Sequence, residues 1–224
     1  MDIIESIKSV LSPPHKAGYP FILGGIAVAV LGLIFWHFLA WLGLLFTLFC
    51  LYFFRDPERV PPPRPNVFLA PADGLIVSVG PAVPPAELGL GPVARMRVAI
   101  FLSVLDVHVN RAPIAGTVTR IAYHPGKFLN AADDKASDEN ERNALLLRLA
   151  TGVEVAVVQI AGLIARRILC EVTEGQTLFA GQRFGIIRFG SRTDLYLPPG
   201  VLPLVAVGQR MIGGETVIAE LTPV

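Results

Sequence analysis

The chain of 224 residues is 53% hydrophobic and only 17% charged, a balance that excludes a disordered chain and points to a membrane-associated protein. Nineteen Lys and Arg against 18 Asp and Glu leave a formal charge of +1, so no global field attracts nucleic acid, and none is expected as a partner. Cys50 and Cys170 stand in unlike surroundings, which gives neither a disulfide framework nor a ligand cluster, and no metal is expected.

Residues 1–60 read as an amphipathic helix and a membrane anchor. Ile3, Ile4, Ile7, Val10 and Leu11 follow helical spacing up to Pro13-Pro14, as in a short interfacial helix. From Pro20 to Phe54 the one residue that could carry a charge near neutral pH is His37. A single span needs about 20 apolar residues, and this run is longer. It fits two short helices bent around Gly32 to His37, the reading favoured here, or one tilted helix. His37 reads as a helix-break or interfacial residue rather than a ligand. The run starts too far from Met1 and lacks a small-residue cleavage site, so it reads as a permanent anchor and not a removable signal. Lys8 and Lys16 balance Arg55, Arg59 and Arg64 across it; a hairpin would leave both flanks, and the domain that follows, on the cytoplasmic side of the cell membrane. Residues 61–66, proline-rich, form a stiff spacer.

Residues 67–224 alternate short β-branched runs with Gly and Pro turns. Strands are predicted at 75–79, 97–104, 117–123, 153–160, 164–172, 184–189, 201–207 and 216–221. The turn Ala70-Pro71-Ala72-Asp73-Gly74 is echoed by Ala112-Pro113-Ile114-Ala115-Gly116, each opening a strand. The fold class predicted is therefore mainly β: a pseudo-symmetric β barrel or sandwich behind an N-terminal membrane-anchoring helical segment. The polar stretch from Asn130 to Asn143 reads as an exposed loop, either plainly solvated or helping to close a site.

Three places could carry chemistry. Asp73 precedes a glycine, where an ordinary turn is the bland reading. His108 follows an apolar strand and precedes Asn110-Arg111, a place suited to a proton-transfer group or to a structural histidine. At Gly190-Ser191 a strand ends in a bond whose serine hydroxyl could attack the preceding carbonyl, a close approach that a missing Cβ permits.

Taken in order, Phe54-Arg55-Asp56-Pro57, Ala70-Pro71-Ala72-Asp73-Gly74, Asp106-Val107-His108-Val109-Asn110-Arg111-Ala112-Pro113, the stretch from Pro125-Gly126 to Asn140-Glu141-Arg142-Asn143, and Phe189-Gly190-Ser191-Arg192 resemble the phosphatidylserine decarboxylase proenzymes, in their short prokaryotic form. The resemblance implies self-cleavage between Gly190 and Ser191. It gives a β chain of residues 1–190 and an α chain of residues 191–224, which stay together as a heterodimer, with any higher oligomer left open. It implies that Ser191 becomes a covalent pyruvoyl cofactor, whose Schiff base with the amine of phosphatidylserine draws electrons as carbon dioxide leaves, releasing phosphatidylethanolamine. Ser191, His108 and Asp73 carry over as catalytic residues, with Asp73 orienting the base for self-cleavage and His108 moving protons. Longer members carry a second histidine where this chain has Arg111. That leaves open whether His108 serves both steps, and makes Arg111, with Asn143, a candidate contact for the lipid phosphate or carboxylate.

The competing reading is a membrane-anchored β-rich adaptor or a lipoyl- or biotinyl-like carrier without catalysis. A carrier should present a lysine at a tight hairpin tip between small neighbours, and Lys127 after Pro125-Gly126 matches this poorly. A relative that folds alike but never matures is the third reading.

Overall fold

The computed structural model describes residues 12–126, 140–162, 167–188 and 191–221. The amphipathic stretch before residue 12, Lys127, residues 130–139 of the polar loop, and Phe189-Gly190 lie outside the described residues. The chain divides into two compact units, Met1–Glu58 and Arg59–Val224.

The first unit is two helices. With no Asp, Glu, Lys or Arg to interrupt it, the apolar run forms α1 (Tyr19–Phe35) and α2 (His37–Phe53), parted at Trp36, whose extended backbone breaks the helical path. The bend falls inside the predicted window, and two helices rather than one tilted helix result. Each rises about 25 Å. Their seam is lined by small residues: a β-carbon on Gly43 would stand 2.7 Å from the Ala29 Cα, and one on Gly32 would stand 2.6 Å from the Ala40 Cα. Both helices turn large apolar side chains outward, among them Leu33, Phe35 and Trp41. Pro14 bridges Arg55, and the His15 amide donates to the Phe54 carbonyl at 2.6 Å, which closes the hairpin at its base.

The second unit is mainly β, as predicted. Its strands are β1 (Val67–Leu69), β2 (Gly74–Ala82), β3 (Arg95–Leu102), β4 (Val109–Arg111), β5 (Gly116–His124), β6 (Arg142–Arg148), β7 (Glu154–Ala161), β8 (Arg167–Cys170), β9 (Thr177–Leu178), β10 (Arg183–Arg188), β11 (Ser191–Tyr196), β12 (Arg210–Met211) and β13 (Val217–Glu220). Eight of them make one curled half-barrel sheet in the order β12-β2-β3-β11-β7-β6-β5-β9. A sheet β4-β10-β8 and a pair β1-β13 complete the unit. The main core lies on one face of the large sheet, where Ile76, Val98, Ile100, Leu145, Leu147, Val157 and Leu195 join Phe68 and Phe184.

That strand order is a palindrome, and the pairing repeats in detail. Leu75 pairs Phe101 as Thr117 pairs Arg148; Arg192 pairs Phe101 as Glu154 pairs Arg148; Met211 pairs Gly74 as Leu178 pairs Gly116. Each of the two Ala-Pro turns binds the other, Leu69 N donating to Pro113 O at 2.7 Å and Arg111 N to Pro71 O at 2.8 Å. A pseudo-twofold axis therefore passes between β7 and β11. The echoed turn motif, visible in the sequence, is the trace of this symmetry.

Two readings of the sequence are corrected. Residues 201–207 are not a strand: they run irregularly and pair with β13 at an isolated bridge, Pro203 with Ala219, beside which the Leu204 amide donates to Ile218, and Pro203 has no N–H to extend a ladder. The polar stretch ends earlier than expected, because Arg142 and Asn143 already belong to β6. The central strand β11, beginning at Ser191, was absent from the predicted set.

Candidate active site

Ser191 opens β11, wholly buried, and its Oγ has no hydrogen-bond partner among the described residues. An unpartnered buried hydroxyl costs about 1–3 kcal/mol, so its presence calls for a functional reason.

Strand register fixes what surrounds it. Ser191 stands between Leu102 of β3 and Ala161 of β7, and cross-strand partners present their side chains on one face. Ile187 of β10 clusters with Ala161 and with its own pairing partner Ile168. Val109 pairs Ile186, and the Ile187 amide donates to the His108 carbonyl at 3.2 Å, so His108 stands opposite Ile187 and shares its face. Ser191, Ala161, Ile187 and His108 thus form one layer between the two sheets.

His108 is 1% exposed. Its Nδ1 lies 2.9 Å from the Asp106 carbonyl oxygen, which can only accept, so Nδ1 carries the proton. In the neutral ring Nε2 is then the basic nitrogen, as a general base requires. Asp106 is itself tied down, accepting from the amide and hydroxyl of Ser103 and from Arg210.

The turn of Asp73 reaches the same row of strand ends. Leu75 pairs Phe101, which sets Gly74 beside Leu102 and hence two strands, about 10 Å, from Ser191. The Asp73 carboxylate accepts from Arg59 Nη2 and from the Gly213 amide, each at 2.7 Å. Arg111, at the far end of β4 from His108, is 4% exposed and donates to the Gly181 carbonyl at 3.0 Å. Asn143 is buried on β6 and donates to Gln159 at 2.9 Å. Gly190 lies outside the described residues.

Sequence reasoning passed over two features. On the face of β11 away from Ser191, Arg192 and Asp194 are both fully buried and joined at 2.6 and 2.8 Å in a two-pronged ion pair. Burial, and then the Asp194 charge, push the neighbouring Tyr196 hydroxyl up to about 12. On the Ser191 face, Asn143, Gln159, Asn110 and Thr193 form a buried polar chain. The signal for it was present: Gln159 is the one amide in an otherwise apolar strand, Val155 to Ala161.

The phosphatidylserine decarboxylase family model matches residues 46–219. A protein named phosphatidylserine decarboxylase proenzyme from Granulibacter bethesdensis is 69% identical over 223 residues, covering 100% of this chain and 91% of its own length. Proteins of the same name from Gluconacetobacter diazotrophicus and Cereibacter sphaeroides are 64% and 57% identical, covering 99% and 98% of this chain and 100% and 94% of their own lengths.

Proposed function

The chain belongs to the phosphatidylserine decarboxylase family, and from that premise we propose that it is a self-processing decarboxylase in which Ser191 is consumed to make the reactive group. The reaction is the decarboxylation of phosphatidylserine to phosphatidylethanolamine. The observation that carries the reading is the buried Ser191 hydroxyl, without a partner among the described residues, in one layer with His108.

Ser191 Oγ adds to the Gly190 carbonyl carbon and the amide nitrogen leaves with a proton, which turns the peptide into an ester. Loss of the Ser191 Cα proton then expels the Gly190 carboxylate; the dehydroalanine left behind takes up water and releases ammonia, leaving a pyruvoyl group on residue 191. Position 191 suits that group, being dry and flanked by Leu102 and Ala161. The chemistry such a group supplies is an electron sink for the pair released with carbon dioxide. His108, its Nδ1 anchored on Asp106, holds Nε2 as the base and acid for proton movements at residue 191. Asp73 sets the electrostatics of the neighbouring strand ends while Arg59 and Gly213 hold it. Arg111 supplies a cation for the lipid phosphate or carboxylate, and Asn143 acts from within the core. The apolar hairpin anchors the protein in the cell membrane with the β unit on the cytoplasmic side, where it meets the headgroup. After cleavage, residues 1–190 and 191–224 remain together.

Intact mass of the purified protein tests this. Two species split after Gly190 are expected, the smaller one lighter by one ammonia than a serine-started chain, and Ser191→Ala should yield one uncut, inactive chain. An active uncut chain would overturn the reading.

A further inference from the structure

One layer below Ser191, the sandwich interior is polar where a core should be oily. Asn143 Nδ2 donates to Gln159 Oε1 at 2.9 Å, Gln159 Nε2 to Asn110 Oδ1 at 2.7 Å, and Asn110 Nδ2 approaches Thr193 Oγ1 at 3.4 Å. All four residues are between 0% and 3% exposed. The chain crosses from β6 to β7, leaves the large sheet for β4, and returns to β11. Room for it is made at Gly185, the register partner of Asn110, where a β-carbon would stand 3.2 Å from Gln159 Nε2.

The pseudo-twofold symmetry supplies an internal comparison. Matching the two halves by their pairing, Asn143 corresponds to Met96, Gln159 to Leu197, Asn110 to Phe68 and Thr193 to Val155. Phe68, Val155 and Leu197 are buried in the main core, and Met96 packs against it. The same architecture is thus filled by apolar side chains at the symmetry-related end, which lacks the site. Ser191 itself corresponds to Val153, which accepts from Leu149 N at 2.8 Å across the equivalent strand pair. The polar chain is therefore not a demand of the fold. It belongs to the end of the β7–β11 seam that carries Ser191 and His108.

Its attachment points show what it sets. Asn110 of β4 lies two residues after His108, which continues the strand's register by accepting from the Ile187 amide, and Thr193 lies two residues from Ser191 on the same face of β11. Apolar packing is non-directional and lets facing strands slide, whereas hydrogen bonds fix a register. We propose that Asn110, Gln159, Asn143 and Thr193 are positioning residues, a hydrogen-bonded gauge that holds β4 against β11 so that His108 meets residue 191 at reacting distance. This rests on the reading that those two residues react. A misplacement of about 1 Å at a reacting pair costs on the order of 100-fold in rate, and that is the effect expected when the gauge is removed.

The test replaces the chain by the residue types of the other end: Asn110→Leu, Asn143→Met, Gln159→Leu and Thr193→Val together, in the full-length protein. Removing every member at once leaves no orphaned amide, so the thermal midpoint should hold or rise. Self-cleavage, followed by intact mass, should slow on the order of 100-fold. In the fraction that matures, kcat for phosphatidylserine in mixed micelles should fall while KM stays. Cleavage at the wild-type rate in a folded variant overturns the proposal. Should the fourfold variant fail to fold, Thr193→Val and Thr193→Ser decide. The first should cleave slowly and the second normally; equal rates for both, whether fast or slow, overturn it. An uncut wild type would instead sink the pyruvoyl reading, and this proposal with it. A cut wild type beside an equally fast variant sinks this proposal alone.

Discussion

Gly74 is the residue whose replacement should be felt most sharply at the site without touching it. Its φ of +147° lies where residues with a side chain are rarely found, and a β-carbon there would overlap the Phe101 carbonyl oxygen and stand 2.9 Å from the carbon behind it. Backbone strain of this kind costs about 1–3 kcal/mol, and forcing β2 away from β3 adds roughly 1–3 kcal/mol. Together this is about 4 kcal/mol, a large part of the ~5–15 kcal/mol that holds a domain folded. At about 2–4 °C per kcal/mol for a unit of this size, Gly74→Ala should lower the thermal midpoint by roughly 8–16 °C. Gly80, on the same strand, has nothing within 4 Å of a would-be β-carbon, so Gly80→Ala should change stability by less than about 1 kcal/mol. Scanning calorimetry of both variants in a Ser191→Ala background keeps every chain uncut and comparable. With Ser191 restored, Gly74→Ala should also delay cleavage, because Gly74 stands beside Leu102 and Leu102 beside Ser191. A Gly74→Ala midpoint within about 2 °C of its parent would refute the reasoning.

The Arg192–Asp194 pair should answer differently to one change than to three. Arg192→Met leaves the buried Asp194 carboxylate to Arg97, 3.9 Å away, and should cost about 3 kcal/mol in urea unfolding, while Arg192→Met with Arg97→Met and Asp194→Leu should recover most of it; a triple variant as weak as the single one would contradict this. Tyr196 should make the protein alkali-sensitive. Its hydroxyl is raised from 10.0 to about 12, so below pH 10 the folded and unfolded chains are both protonated there. Between pH 10 and 12 only the unfolded chain loses that proton, and stability falls by about 3 kcal/mol. Tyr196→Phe should remove that part of the decline, and unchanged pH dependence would exclude it. His108→Ala should lower decarboxylation about 10²- to 10⁴-fold, and unaltered turnover would remove it from the site.

What was legible in the sequence was what repeats or punctuates. The Ala-Pro turns announced two β halves because each such turn opens a nine-residue strand with a register shift at the same place, between Ile76 and Ser78 and between Val118 and Arg120. The helical hairpin was legible because a long uncharged run can do little else. β11 was not legible, since Ser191, Arg192, Thr193 and Asp194 look like a surface loop. They are a buried central strand because Arg192 and Asp194 pair with each other on one face, while on the other Thr193 meets Asn110 and Ser191 lies beyond it. Pairing with β3 and β7 overrides local polarity, and pairing at such range leaves no mark on a local pattern. The polar chain was hidden for the same reason: its members come from four strands far apart in sequence, and only the fold makes them neighbours.

The position of β11 would also let the chain hold together if it is cut before Ser191, as proposed. The strand that begins at Ser191 lies between β3 and β7, bonded to both along its length, and the rest of the C-terminal segment returns to the N-terminal half, β12 to β2 and β13 to β1. Cutting the bond before Ser191 therefore severs one covalent link while every strand pairing remains. The same topology orders events in time. Ser191 takes its place through pairing with both β3 and β7, each of which precedes β11 in the chain. The buried layer containing Ser191 and His108 cannot exist in a partly folded chain. On the proposed mechanism, a nucleophile placed in this central strand would make self-cleavage depend on completed folding, because Ser191 meets Leu102 and Ala161 only once β11 is paired.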